Sequence, residues 1–372
     1  MRQWIYIIIL WNVAFILGCK HDPVIDPESS SRITLKWNRA YPAETGENVL
    51  IGLNWALAKV GAMNRVPVSI DQNNRILLDL DDLGFSVRAK RELKRLHSNI
   101  KETGEYRETG AIDLGRYVTS ILGASEHYNA ITGVPQKLSE VLDNYHLEQE
   151  KGYVNNSAVS SQHRMISFSH QAGLKQLFLS AEIDSINDEI LEYEIIEIME
   201  NGHLRYGVYD VDSNRINASN PQFSAAGKPA KCMWCHESKI LPLFTVQNNK
   251  VGYLSYLQLK DTLNWFSSSL KQKQLLLHKG VDFGQKQDHT QMELLYISFM
   301  YPSAQRLSNE WGIPVGVVKS KLSGLSTTIY PEFPFLGDLY QRSDIDIFSP
   351  YQGLSVSTSV REFSKEEVNH ID

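Results

Sequence analysis

Three cysteines in 372 residues, at positions 19, 232 and 235, exclude a fold held together by a disulfide framework. Such a chain has to be stabilised by a buried apolar core. Its composition allows one, with 42% hydrophobic and 10% aromatic residues. The length suits about two or three domains, or one large one. The formal net charge of −6 leaves no basic surplus for nucleic acid. No sustained repeat of solenoid or propeller type is present.

Two of the cysteines belong to one short motif. Residues 232 to 236 read Cys-Met-Trp-Cys-His. This is C-x-x-C-H, the spacing of covalent haem attachment. Two thiols separated by two residues can add to the two vinyl groups along one porphyrin edge. A histidine directly after the second cysteine then lies under the iron. Cys232, Cys235 and His236 are therefore the expected haem c-binding residues, one haem per chain, with His236 as an iron ligand. Other uses of C-x-x-C make different demands. A thioredoxin-like pair needs a strand before it and a helix after it within a βαβ pattern. A zinc site needs a second ligand pair. An inert disulfide needs only an oxidising compartment.

The motif resembles that of c-type cytochromes. In the small all-helical members it lies near the N-terminus. Here it follows a β-hairpin pattern and precedes a helical half. That order is similar to β-sheet c-type cytochromes with the motif near the chain end, whose haem is catalytic and open on its distal side. A helical tail of about 130 residues departs from that pattern. The resemblance implies a lipid-anchored mono-haem cytochrome that transfers electrons to or from a redox partner protein. The alternatives are an open-haem enzyme acting on a small nitrogen or oxygen species, and an envelope scaffold with structural haem.

The sixth iron ligand separates these readings. Met300 is the leading candidate, because Pro302 stops its helix and places it where the backbone turns. Met292, His289 and His278 follow. His163, His170 or His203 upstream, or no side chain at all, remain open. Core packing competes for the methionines, since Leu295, Phe299 and Met300 fit one apolar helical stripe. Trp234, Phe244 and Trp265 are candidate porphyrin neighbours, each also suited to plain core packing.

The expected class is α+β: a mainly helical N-terminal region, a small antiparallel β region and a helical haem-binding C-terminal region. Residues 36–150 form the first region. It holds a helix over 47–60 and a hairpin of 66–70 with 76–80 around Asp71–Asn74. Next comes a Ser86-capped helix with Val87, Leu93, Leu96 and Ile100 inward, its other faces carrying Arg88, Lys90, Arg91, Lys94 and Arg95. A third helix starts at Pro135 and buries Leu138, Val141, Leu142 and Tyr145. Residues 151–225 form the β region, with 151–162 as a linker and a type I′ hairpin at Asn201-Gly202. Asp210, Asp212 and Asn214 read as a plain turn rather than a calcium loop. Residues 226–352 carry the haem motif and several helices, over 254–279 and 292–300, from a Ser303 cap to Gly312, and from Pro314. Residues 353–372 read as a charged, frayed tail.

The first 18 residues, MRQWIYIIILWNVAFILG, combine Arg2 with an apolar run from Trp4 to Leu17. The run is short of the ~20 residues that span a bilayer comfortably, and it reads as a secretory signal. It ends in Gly18-Cys19. A small residue directly before cysteine resembles the lipobox of bacterial lipoproteins, which implies cleavage and lipidation at Cys19. An uncleaved N-terminal anchor is the alternative. Residues 19–35 then form a tether, and the body sits in the bacterial cell envelope, outside the cytoplasm. On this reading, Cys19→Ala leaves the protein unlipidated and extractable from membranes by mild salt. A variant that still behaves as an integral membrane protein makes residues 4–17 an anchor instead.

Overall fold

The structure, a computed structural model, describes residues 30–371 apart from 172, 278–279, 281–282 and 284–287. The signal segment, Cys19, most of the tether and His278 lie outside the described residues.

The N-terminal part runs β1 (Arg32–Lys36), α1 (Gly46–Lys59), β2 (Arg75–Asp79), α2 (Val87–Lys101), α3 (Gly104–Thr109), β3 (Ile112–Asp113), α4 (Leu114–Leu122), α5 (Ser125–Thr132) and α6 (Leu138–Leu142). Side-chain caps start α1 and α2: Thr45 accepts from the Asn48 N–H and Ser86 from the Ala89 N–H. The three strands form one sheet in the order β2-β1-β3.

Several expectations need correcting here. β2 pairs antiparallel with β1, not with residues 66–70. That run contains Pro67, which has no N–H for a ladder, and it forms no strand. The tether ends earlier than residue 35, because β1 already occupies Arg32–Lys36 and buries Ile33 and Leu35. Val87 is 89% exposed, since it opens the first turn of α2 and points away from the core. The helix expected from Pro135 is confined to α6.

The middle part is a meander of β4 (Gly152–Val154), β5 (His163–Phe168), β6 (Leu177–Ile183), β7 (Ile190–Ile198), β8 (Leu204–Asp210) and β9 (Arg215–Ile216). All six strands pair antiparallel in sequence order. The linker assigned to 151–162 contains β4, all of it buried. The β7–β8 hairpin forms at Asn201-Gly202, with Gly202 at φ 81°. It is not a type I′ turn, which needs positive φ at Asn201 too. The Asn201 amide instead donates to the carbonyls of Ala58 and Ala62 at the end of α1.

The C-terminal part holds α7 (Pro229–His236), α8 (Tyr256–Leu275), α9 (Asp288–Met300), α10 (Ala304–Trp311), α11 (Val315–Lys321) and α12 (Arg342–Ile345). Ser303 caps α10, which stops at Gly312 in the left-handed conformation. The chain is thus α+β, with twelve helices and two sheets among the described residues. One apolar cluster runs from Ile33 to Ile371 and draws on every part. The tail is not frayed: Leu354, Val360 and Ile371 are buried, and the His370 N–H donates to His127 Nε2 at 2.8 Å.

Helix α9 packs against both α1 and α4. Two glycines permit the close approach. A Cβ on Gly52 would stand 2.7 Å from the Gln291 carbonyl oxygen, and one on Gly115 would stand 2.6 Å from Phe299 Cβ. Gly115→Ala should therefore destabilise the fold by about 1–3 kcal/mol through overpacking. Gly316→Ala, in α11 with open space around it, should be neutral or stabilising by roughly 0.5–1 kcal/mol. Denaturant midpoints test the contrast, and equal midpoints for the two variants would contradict this packing.

Candidate functional site

The C-x-x-C-H motif lies on α7. Pro229 takes the first helical position, where its missing N–H costs nothing. Helical periodicity then puts Cys232, Cys235 and His236 on one face, three and four residues apart. Met233 and Ala230 point the other way and are buried in the core. The helix ends at Glu237, whose φ of 51° turns the chain sharply after the histidine.

Both ends of this short helix are pinned. At the start, Lys228 is fully buried. Its ammonium donates to the carbonyls of Gly123 at 3.1 Å and Ser359 at 2.7 Å, and it pairs with Glu367. The Lys228 N–H donates to the Arg361 carbonyl. At the end, Lys59 of α1 donates to the Glu237 carbonyl and, at 2.9 Å, to Ser238 Oγ. His203 Nδ1 lies 2.8 Å from the same hydroxyl, and the Gln274 amide donates to the Ser238 carbonyl.

The three motif side chains line a single cleft of about 970 Å³, its open mouth included. The opposite wall is the six-stranded sheet. The register aligns Ile166, Ser180 and Glu194 in one row and Phe178 with Ile196 in the next. Leu241, Leu243 and Phe244 close a third side, with Leu263 of α8. Most of this surface is apolar, which suits a flat, largely hydrophobic group.

A charged cluster on the sheet wall interrupts it, and Lys231 of α7, paired with Glu362, adds a further cation. Arg164 Nε lies 2.7 Å from Glu182, and its Nη2 donates to Glu194 at 3.0 Å and to Ser224 Oγ at 2.9 Å. Glu192 stands opposite Glu182 in the ladder. Burial, then the neighbouring carboxylates, push Glu192 up to about 7, against an Asn220 N–H bond that favours its charge.

Burial governs the protonation of all three motif groups. Burial first, then the charges of Arg164 and Lys59, hold His236 down to about 4, so its imidazole is neutral and can ligate a metal. Its Nδ1 is buried without a hydrogen-bond partner. Burial raises both thiols above their ordinary range. A redox C-x-x-C works through a lowered thiol pKa, and these thiols are the opposite case. The sheet is also wholly antiparallel, without the βαβ unit of a thioredoxin. Among the described residues, no group of three or more His, Cys, Asp or Glu is placed to hold a bare metal ion. Two free thiols and one imidazole thus share a single face of a mostly apolar cleft.

The structure does not bring Met300 to this cleft. It is 5% exposed, on α9, among the residues that pack on α1 and α4. Met292 is equally buried there. His289 reaches Glu237, with Nε2 3.6 Å from the carboxylate, and does not line the cleft. His163 meets Tyr153, His170 meets Glu148, and His203 meets Ser238. Among the described residues, the cleft has one imidazole and no methionine on its walls. Phe244 is a wall residue, whereas Trp234 lies under the Arg361 guanidinium and Trp265 is 61% exposed.

The sequence reading missed Arg164, Glu182, Glu192, Glu194 and Lys59. A signal was available for the acids: Glu192 and Glu194 recur at the strand period, so they share one face of β7.

Comparison with known protein families, with characterised proteins and with solved structures finds no match for this chain. For the chain made without haem, the raised thiol pKa values predict slow chemistry. Both cysteines should react with a thiol reagent at neutral pH at least roughly tenfold more slowly than a free cysteine, and fast only on unfolding. Native reaction at the free-cysteine rate or faster would favour a redox pair.

Proposed function

We propose that this chain is a lipid-anchored, mono-haem c-type cytochrome of the bacterial cell envelope. Its haem c is held by Cys232, Cys235 and His236 in the cleft between α7 and the six-stranded sheet. The observation that carries this reading is the convergence of all three motif side chains on one apolar cavity. Haem supplies an iron that exchanges single electrons and binds small ligands. The chain supplies the rest. His236 offers a neutral imidazole from a helix fixed at both ends. Ile166, Phe178, Ile196, Phe244 and Leu263 exclude water. Arg164, held by Glu182 and Glu194, is the one cation that the sheet wall presents to an incoming molecule.

The walls would leave the open-haem reading as the better match to the lining residues. No methionine or second histidine lines the cleft among the described residues. The open-haem reading, with a small nitrogen or oxygen species as ligand or substrate, therefore fits the geometry better than a saturated electron carrier. The carrier, working with a redox partner protein and using Met300, is the second reading. It draws on the sequence position of Met300 and needs α9 to leave its packing against α1 and α4.

Spectra of the haem-loaded protein separate the two. The open site predicts high-spin iron that binds carbon monoxide readily, and a Met300→Ala variant with the same spectrum. That variant loses about 2–5 kcal/mol of stability, since a buried side chain is removed. Low-spin, six-coordinate iron that becomes high-spin in Met300→Ala would restore the electron carrier.

A further inference from the structure

Lys59 is a fully buried lysine with an unusual set of partners. Its ammonium touches the Glu237 carbonyl and Ser238 Oγ and lies 5.8 Å from the Trp55 ring centroid. No carboxylate lies within ion-pair distance of it among the described residues. Glu237 turns its own carboxylate to Lys239 at 2.7 Å and towards His289. Glu293 of α9 acts on Lys59 only at longer range. A buried ammonium without a paired anion is costly, and dipoles alone offset the cost here. The dipoles that meet it are the carbonyl of Glu237, the C-cap of α7, and the Ser238 hydroxyl.

The contact points are the two residues that directly follow His236. They set the direction in which α7 ends and hence the tilt of the imidazole. Lys59 is fully buried and does not line the cleft, whereas His236 does.

We propose that Lys59 is a positioning residue for the haem: it locks the chain behind His236 and keeps an unneutralised positive charge there, which favours the reduced iron. This inference rests on the haem reading of the preceding section. A buried ammonium held on the residue that directly follows His236, with no carboxylate in ion-pair range among the described residues, would oppose a further positive charge on an iron bound to that imidazole. The groups facing Lys59 are Glu237 and Lys239 from the chain after α7, His203 from the hairpin, and His289 and Glu293 from α9.

The test compares haem-loaded wild type with Lys59→Arg, Lys59→Gln and Lys59→Met, at about pH 6, below the Lys59 pKa of about 7. Midpoint potentials and axial-ligand spectra are recorded. Lys59→Gln keeps a donor and loses the charge. It should cut the equilibrium constant for reduction about tenfold, a fall of ~59 mV for one electron, with little spectral change. Lys59→Met should lower the potential as far and also disturb the histidine–iron signature. Lys59→Arg should keep the wild-type potential. Neutral variants with the wild-type potential overturn the proposal. Should they fail to fold, Ser238→Ala carries the test: a changed histidine–iron signature is required, and an unchanged one overturns it. Wild type without covalent haem would instead overturn the haem reading, an outcome distinct from haem-loaded variants at an unshifted potential.

Discussion

Two buried ammonium groups hold the helix on which the rest of the site depends. Lys228 enters α7 and Lys59 meets its end, and each is fully buried. Burying a cation costs several kcal/mol unless its surroundings compensate it. Lys228 finds Glu367 and two carbonyls, one of them that of Gly123, the C-cap of α4. Lys59 finds only dipoles. The two contacts differ in reach. Lys228 ties α7 to residues 359–367, so the last stretch of the chain helps to place a motif more than a hundred residues before it. Lys59 ties α7 to α1, so the N-terminal part fixes the other end.

A helix clamped in this way presents three side chains at fixed spacing to a wall built by different rules. The sheet alternates, and one face of β5, β6 and β7 turns Ile166, Phe178 and Ile196 to the cleft beside Arg164, Ser180 and Glu194. The combination is an apolar slot with one polar corner. A carrier needs a covered iron and a conducting edge. A ligand-binding site needs space and a polar group that meets what enters. The corner made by Arg164, Glu182 and Glu194, with Glu192 behind it, supplies a polar group on the sheet wall.

Local features of this arrangement were legible in the sequence. The Ser86 and Ser303 caps, the hairpin at Asn201-Gly202 and the helix around Leu53 and Leu57 follow from short-range chemistry. The C-x-x-C-H spacing marked Cys232, Cys235 and His236 as one unit, but the helix that carries them on one face appears only in the structure. Long-range choices were not legible. The stripe of Leu295, Phe299 and Met300 shows that a face is buried, but not that it meets α1 and α4 across Gly52 and Gly115. Val66 to Ile70 looks like a strand until Pro67 is weighed, and the real partner of β2 lies some forty residues away in β1. Lys59 looks like any basic residue at a helix end, because its burial is decided by Glu237, nearly two hundred residues later. The tail reads as polar, yet Arg361, Glu367 and His370 spend their charges and donors on the core.

The central claim is that the motif cysteines carry haem in this cleft. The most direct measurement is the intact mass of the full chain made in cells able to mature c-type cytochromes, followed by peptide mapping. The account predicts the added mass of one haem, carried on the peptide that contains Cys232, Cys235 and His236. A chain of unmodified mass, with those two cysteines free or joined to each other, would contradict it.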